Sequence, residues 1–481
     1  MSIRIRTMRF RDTHDLTPRG FQWLAIFAMA SLAGCGSQLE TQSRADLQRV
    51  HAQLQSEQAG DSETELQSDR KLESLGTLRT YVASAFANSP ELRASYEEWR
   101  AALQGPAQAR RFPELVLTYG GFIRAVETRV GPQLHRVGAM QWFPWPTRLN
   151  AGRDAAAHAA VSAQQRFEAL ALEVAAEVAR AYWKLWFIQK NQVVQRAQRD
   201  VLLSLSEQAR ARLEAGRSGL SDLAQVDLSI SKVSDVMAGL QEAERSATAE
   251  LVRVIGAEPG TPTPIQPEED PPLALLPGAE DSELRDAAVA HPRVEAMASM
   301  SEAANERARA AKGERGPSIG LGLEWIVTGT AVPPSIANSG QDAVIGLVGL
   351  KIPVSGGAYK AAKEQALAEG AMYRARERAA RDRAVAELAQ ALANLRDAVR
   401  RVQLYETTLV PQAETTYSST LDGYQSGRAS LAEVLIAERD LLELALGLFQ
   451  AHASYGVSWA ELERVVGHPV VTQPDEDDFA P

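Results

Sequence analysis

The feature that most constrains this chain is a long run with nothing to break it. From Thr147 to Glu258 there is no proline. Apolar residues return along the run at spacings of three and four: Phe167, Leu170, Val174, Val178, Ala181, Leu185 and Ile188. Val385, Leu388, Leu392, Leu395, Val399 and Val402 repeat the pattern later in the chain. That period is the seam of a coiled-coil-like helix. Read as one helix, Thr147 to Leu213 is roughly 100 Å long at 1.5 Å per residue, a rod for which a compact domain has little use. Aromatic residues make up only 6 % of the 481, and alanine is abundant, so such rods can pack closely side by side.

The rods belong to a pattern that occurs twice. Asn88-Ser-Pro-Glu-Leu-Arg-Ala94 matches Ala290-His-Pro-Arg-Val-Glu-Ala296, and Phe112-Pro-Glu-Leu-Val-Leu117 matches Gly316-Pro-Ser-Ile-Gly-Leu321. Gln141-Trp-Phe-Pro144 matches Leu350-Lys-Ile-Pro353, Glu214-Ala-Gly-Arg217 matches Gln425-Ser-Gly-Arg428, and Ile255-Gly256 matches Val466-Gly467. The offset drifts only from 202 to 211, as an internal tandem repeat with variable loops allows. Each copy reads as a helix (Pro90 to Arg110; Leu284 to Lys312), two short strand-like runs, a very long helix, a Gly-Arg turn and a further helix.

The strand-like runs have period two. Ile319, Leu321, Leu323, Trp325 and Val327 alternate with Gly320, Gly322, Glu324 and Ile326, which fits a strand with one greasy and one wet face. Leu115, Leu117 and Tyr119 begin a similar run, and 134–143 and 343–352 are weaker return strands. Each is about ten residues, enough for a tilted strand to cross a bilayer. Trp142, Phe143, Trp145 and Trp325 sit where a barrel would carry interfacial aromatics. Two ordinary hairpins packed on helices are the bland alternative. Four strands cannot close a barrel, and lipid tolerates no open edge, so a membrane reading requires several copies to pool their strands.

The N-terminus points to export. Arg4, Arg6, Arg9, Arg11 and Arg19 precede an apolar stretch from Phe21 to Ala33, which ends in Leu32-Ala33-Gly34-Cys35 around the single cysteine. That string resembles the lipobox of bacterial lipoproteins, cut before a cysteine that then carries lipid; an ordinary signal peptide with a chance cysteine is the alternative. In lipoproteins an Asp after the cysteine often marks inner-membrane retention, so Gly36 favours the outer membrane. Removing 1–34 takes away five Arg and two Asp and leaves a chain more acidic than its full-length net charge of −10. An acidic chain is a poor nucleic-acid binder. No later segment reaches 18 apolar residues, so no transmembrane helix is expected. There is no Gly-rich phosphate loop after a strand, no His-Glu-x-x-His and no Gly-x-Ser-x-Gly. No catalytic residue, cofactor or metal site is assigned, Met297 and Met300 being packing residues of a helix.

The Pro-marked helix starts (Pro90, His291-Pro292) and Gln141-Trp-Phe-Pro-Trp-Pro-Thr-Arg148 resemble the outer-membrane efflux protein, or TolC-like, family. So do Tyr424-Gln-Ser-Gly-Arg-Ala-Ser-Leu-Ala-Glu-Val-Leu435 and its echo Leu213-Glu-Ala-Gly-Arg-Ser-Gly-Leu-Ser-Asp-Leu223. The resemblance covers residues 75–467. It implies a mainly α fold with a membrane β-barrel portion. Long helical hairpins would form an α-barrel, and four strands per protomer would enter a twelve-stranded barrel in a homotrimer. The implied organisation is a lipoprotein signal peptide (1–34), an N-terminal anchor and equatorial segment (35–74) and a first repeat (75–258) with strands near 112–124 and 134–145. A Pro-rich linker (259–280), a second repeat (281–470) with strands near 317–328 and 342–353, and an acidic tail (471–481) follow.

The resemblance further implies passive export through the outer membrane of a Gram-negative cell, with a periplasmic adaptor and an inner-membrane efflux pump as partners. The turns at Gly216-Arg217 and Gly427-Arg428 would dock the adaptor; each Arg alternatively stabilises the last carbonyls of its own helix. Asp222 and Glu433 would line the periplasmic aperture, or be ordinary surface acids. Tyr424 belongs to the family's gate, but Ile436 and Ala429 stand where that gate can carry a second acid and an Arg. Phe143-Pro-Trp-Pro146 resembles channels of heavy-metal efflux systems, which leans the exported solute toward metal cations over drugs or secreted proteins. The competing class is a lipid-anchored helical periplasmic adaptor or interaction protein that never spans the membrane.

Overall fold

A computed structural model describes residues 38–59, 77–216, 219–257, 275–332 and 337–471. The expected leader with Cys35, Arg217, most of the linker and the tail beyond Val471 lie outside the described residues. The elements are α1 (Gln38–Ala59), α2 (Leu78–Asn88), α3 (Pro90–Ala102), α4 (Gly105–Ala109), β1 (Val116–Thr128), β2 (Gly131–Phe143), α5 (Pro146–Glu214) and α6 (Leu220–Val254). They continue with α7 (Asp281–Val289), α8 (Pro292–Gly313), β3 (Ser318–Thr328), β4 (Ala343–Lys351), α9 (Gly356–Leu404), a π-turn (Tyr405–Leu409), α10 (Val410–Gln425) and α11 (Leu431–Val466). Among the described residues no helix is long and apolar enough to cross a membrane.

The long rod is α5, 69 residues that begin with Pro146 at the first helical position, where a missing N–H costs nothing. Its partner in the second half is interrupted. Pro411 has no N–H to offer the carbonyl four residues back and its ring crowds it. The ladder answers with the π-turn, in which Val410 N–H reaches the Tyr405 carbonyl.

Two helices expected to be single are each divided. The stretch from Pro90 to Arg110 breaks at Leu103 and Gln104, before α4. The stretch from Leu284 to Lys312 breaks at His291, which caps α8: its Nδ1 accepts from Arg293 N–H at 3.0 Å, and its Nε2 faces the Arg464 carbonyl at 3.0 Å. Burial lowers the pKa of His291, which suits a ring that accepts on one side and donates on the other. The first strand also differs from expectation. It starts at Val116, beyond Pro113, and runs on to Thr128.

The helices lie side by side, with α5 between α6 and α11, and α11 packed in turn on α9 and α10; α8 bridges α5 and α9. The largest core gathers Tyr81, Tyr182, Trp183, Trp186 and Leu251 where α2, α5 and α6 meet. A second core joins α7, α9 and α11 through Leu284, Leu395 and Leu462. A third, with Leu205, Val226, Tyr424 and Leu431, closes the far ends of the two helical hairpins. At the other end the strands form one antiparallel sheet in the order β1-β2-β3-β4.

Candidate functional site

Two places bear on function, the sheet and the hairpin tips. In the sheet, directly opposed residues share a face. Trp325 stands between Val137 and Val344, Leu321 lies opposite Val348, and Leu117 opposite Ala139. This face is apolar and open: Leu117 and Tyr119 are each 72 % exposed and Val348 is 81 % exposed. The other face carries Arg136, Glu324 and Lys351 together with most of the strand glycines. Arg136 pairs with Glu324 at 3.4 Å, and Lys351 Nζ lies 4.0 Å from the centre of the Trp142 ring. One face is therefore mostly apolar and the other mixed, its charges and glycines set among Val116, Met140, Ile326, Ile345 and Leu347. Both edge strands, β1 and β4, keep one side unpaired among the described residues.

At the tips, two glycines turn the chain. Gly216 has φ +71° and Gly427 φ +77°, and an added Cβ would meet nothing within 4 Å at either. The left-handed backbone is what requires glycine there. At the second tip Gly427 N–H bonds the Tyr424 carbonyl at 3.0 Å and Arg428 N–H the Gly423 carbonyl at 2.7 Å, the paired bonds of a Schellman ending. Ser430 then opens α11 with a capping box. Its hydroxyl accepts from Glu433 N–H at 3.3 Å, and Glu433 Oε2 accepts from Ser430 N–H at 2.6 Å. These bonds lower the pKa of Glu433, so its charge is held at the helix start. Asp222 occupies the first turn of α6.

The side chain of Arg428 bonds only Ser426 Oγ, at 3.0 Å, among the described residues. The terminal carbonyls of α10 are instead taken by Arg212, from the last turn of α5. Its Nη2 donates to the Tyr424 carbonyl at 2.6 Å and the Gln425 carbonyl at 3.2 Å, and its guanidinium lies 3.9 Å from the centre of the Tyr424 ring. Tyr424 is buried, and its hydroxyl finds no partner among the described residues. Arg212 escaped the sequence reading. A basic residue in a last turn points to its own helix end, and nothing local says that it crosses to another.

Residues 284–468 match the family model described as outer membrane efflux protein. Protein CyaE of Bordetella pertussis is 28 % identical over 387 residues, covering 77 % of this chain and 80 % of that protein. Outer membrane efflux protein BepC of Brucella suis is 25 % identical over 276 residues, covering 56 % of this chain and 59 % of its own length. The fold is also that of the crystal structure of CusC, with a TM-score of 0.68 at 18 % identity over 82 % of this chain and 92 % of that one. The second half of the chain thus matches the outer membrane efflux protein family, and the fold of most of the chain is that of CusC. No three His, Cys, Asp or Glu side chains come together as metal ligands among the described residues.

Proposed function

We propose that the chain is the outer-membrane channel of a tripartite efflux system. In this reading it passively exports solutes, metal cations or drugs, that an inner-membrane pump and a periplasmic adaptor deliver. The sheet carries the proposal. One of its faces exposes aliphatic and aromatic side chains that water disfavours and lipid accepts. Its two free edges would be intolerable in lipid unless other copies covered them. Pairing β1 of one copy with β4 of the next satisfies both. Three copies give the family's twelve strands, with the apolar face toward lipid, the charged face toward the lumen and the helices continuing the duct into the periplasm.

The two tips would meet the adaptor through the turns at Gly216-Arg217 and Gly427-Arg428. Asp222 and Glu433 would place six carboxylates around the periplasmic aperture of a trimer, where like charges favour cations. Tyr424 would act in the gate. Lipidation at Cys35 would tether the chain to the outer membrane; α1 begins three residues later and is tied to the rod by Ser43 Oγ, which donates to Gln164 at 2.8 Å.

Size and heat-modifiability of the detergent-extracted protein test this, with Cys35→Ala as control. A heat-modifiable trimer that retains strand signal is expected. A monomer that leaves the membrane when Cys35 is lost, with purely helical circular dichroism, would refute it and promote the anchored helical adaptor.

A further inference from the structure

The junction between sheet and helices holds a cleft of about 320 Å³, lined by Arg148, Glu314, Ser318, Lys351, Pro353 and Tyr359. Its cations are held in place by the fold. Gly320 and Gly349 flank the Trp142 ring so closely that a Cβ on either would come within 2.8 Å of ring carbons. With side chains there, the indole could not lie across β3 and β4. Lying there, it seats Lys351 Nζ over its face. Lys351 is opposed by Ser318 in the sheet register, so ammonium and hydroxyl share the charged face.

Arg148 reaches the cleft from the first turn of α5. Its Nε meets Glu314 at 3.6 Å, and its terminal nitrogens have no acceptor among the described residues. One carboxylate thus stands against two cations. Neither α5 nor α9, the two long helices that start at this level, has an acidic residue in its first turn, so nothing else on those turns offsets the positive charge.

We infer that this cleft is a binding site for an oxyanion, a phosphate or carboxylate group, held by the Arg148 fork and the Trp142-seated ammonium of Lys351, with the Ser318 and Tyr359 hydroxyls as further donors. A guanidinium and an ammonium in one cleft suit a di- or trivalent oxyanion better than a neutral solute. Its position inside the duct rests on the channel reading above; there, an anionic group on a passing solute would pause at the sheet end of the path. The same chemistry is offered by a lipid headgroup, and the experiment separates the two.

Full-length protein in neutral detergent is titrated calorimetrically with inorganic pyrophosphate, and separately with short-chain phosphatidylglycerol and short-chain phosphatidylcholine. Saturable pyrophosphate binding is expected, weakened about tenfold or more by Arg148→Gln with Lys351→Gln and kept by Arg148→Lys with Lys351→Arg. Trp142→Leu, which removes no charge, should weaken it as well. Binding of phosphatidylglycerol but neither pyrophosphate nor phosphatidylcholine, lost in the same double variant, supports the site with a headgroup as its ligand. No binding of either anion by the unaltered protein, or equal binding by the Gln double variant, overturns it. A protein that binds pyrophosphate yet stays monomeric and helical in the size assay would keep the oxyanion site and lose the duct.

Discussion

The guanidinium of Arg212 stacks on the ring of Tyr424 at 3.9 Å and bonds the same residue's carbonyl oxygen at 2.6 Å. One residue at the end of α5 thereby closes the end of α10 and ties the two helical hairpins at their tips. A charged hydrogen bond to a carbonyl contributes about 1.5–3 kcal/mol, and a partly buried cation–π contact about 1 kcal/mol. Arg212→Ala should therefore loosen the tips without unfolding the rods. Hydrogen exchange should speed up about tenfold or more in residues 420–428 and stay unchanged around Trp183 and Trp186. Arg212→Lys should recover only part of the protection, because an ammonium lacks the planar fork that spans two carbonyls and a ring. Unchanged exchange at 420–428 in the Ala variant would mean that the third core alone closes the tips.

Glycines at the tips and glycines in the rods serve opposite needs. Gly427 has open space around it and a left-handed backbone, so Gly427→Ala should cost about 1 kcal/mol through conformation alone. Gly456 on α11 has ordinary helical geometry and lies against Trp183, whose indole occupies the place a Cβ would take. Gly456→Ala must push the indole or separate α5 from α11, so it should destabilise by about 1–3 kcal/mol or more. Denaturant melts of the two variants side by side check the order. A larger loss for Gly427→Ala would show that the tip, not the α5–α11 contact, limits stability.

That pair of glycines also marks what a sequence can and cannot disclose here. Gly427 was legible because a helix stop needs a left-handed residue and the Gly-Arg turn repeats at Gly216. The strands were legible from their alternation, and α5 from its unbroken apolar seam. Gly456 was not, because its partner Trp183 is far away in sequence and belongs to a different helix. The same holds for Arg212. Its place in a last turn predicts a cap on its own helix, and only the meeting of the hairpin tips in the third core redirects it. The division of the second rod at the π-turn was legible in principle from Pro411, but the helical periodicity around it reads straight through.

Glu438 gives the tips a pH dependence. It lies on α11, almost fully buried, and takes one hydrogen bond from Gln198 of α5 at 3.3 Å. Burial raises its pKa above the usual carboxylate value and the Gln198 bond only partly offsets this. Tyr417 of α10 faces it, and its own pKa is raised by burial and by the Glu438 charge. A raised carboxylate pKa means that the folded state prefers the protonated form. Its stabilising contribution is full below the unfolded value near 4.5 and is lost as pH rises through the folded value. Glu438→Gln should therefore raise tip stability at neutral pH and flatten its dependence above pH 4.5. Exchange rates in residues 417–438, measured across that range, check it. A variant no more protected than the original at pH 7 would mean that Glu438 is solvated when charged.

A buried charge in the last turn of α11 links three of the rods. Arg464 of α11 is only 10 % exposed and bonds Glu461 at 2.6 Å, Glu387 of α9 at 3.1 Å and Glu173 of α5 at 3.3 Å. The carboxylates outweigh the burial cost, so its pKa is raised and the guanidinium stays charged throughout the accessible pH range. Among the described residues, truncating it leaves Glu387 without its partner and Glu173 and Glu461 held only by Arg180, at 3.2 and 3.4 Å, and by Arg293, 3.8 Å from Glu173, which for a partly buried network should cost about 3 kcal/mol. Arg464→Met should therefore destabilise strongly at pH 7 and recover part of the loss near pH 4, where the freed acids can protonate. Arg464→Lys should fall between, since one ammonium cannot reach three helices with a planar fork. Urea midpoints at the two pH values decide it. A loss for Arg464→Met that is the same at both would assign the effect to packing of the side-chain stem, not to the charge that joins α5, α9 and α11.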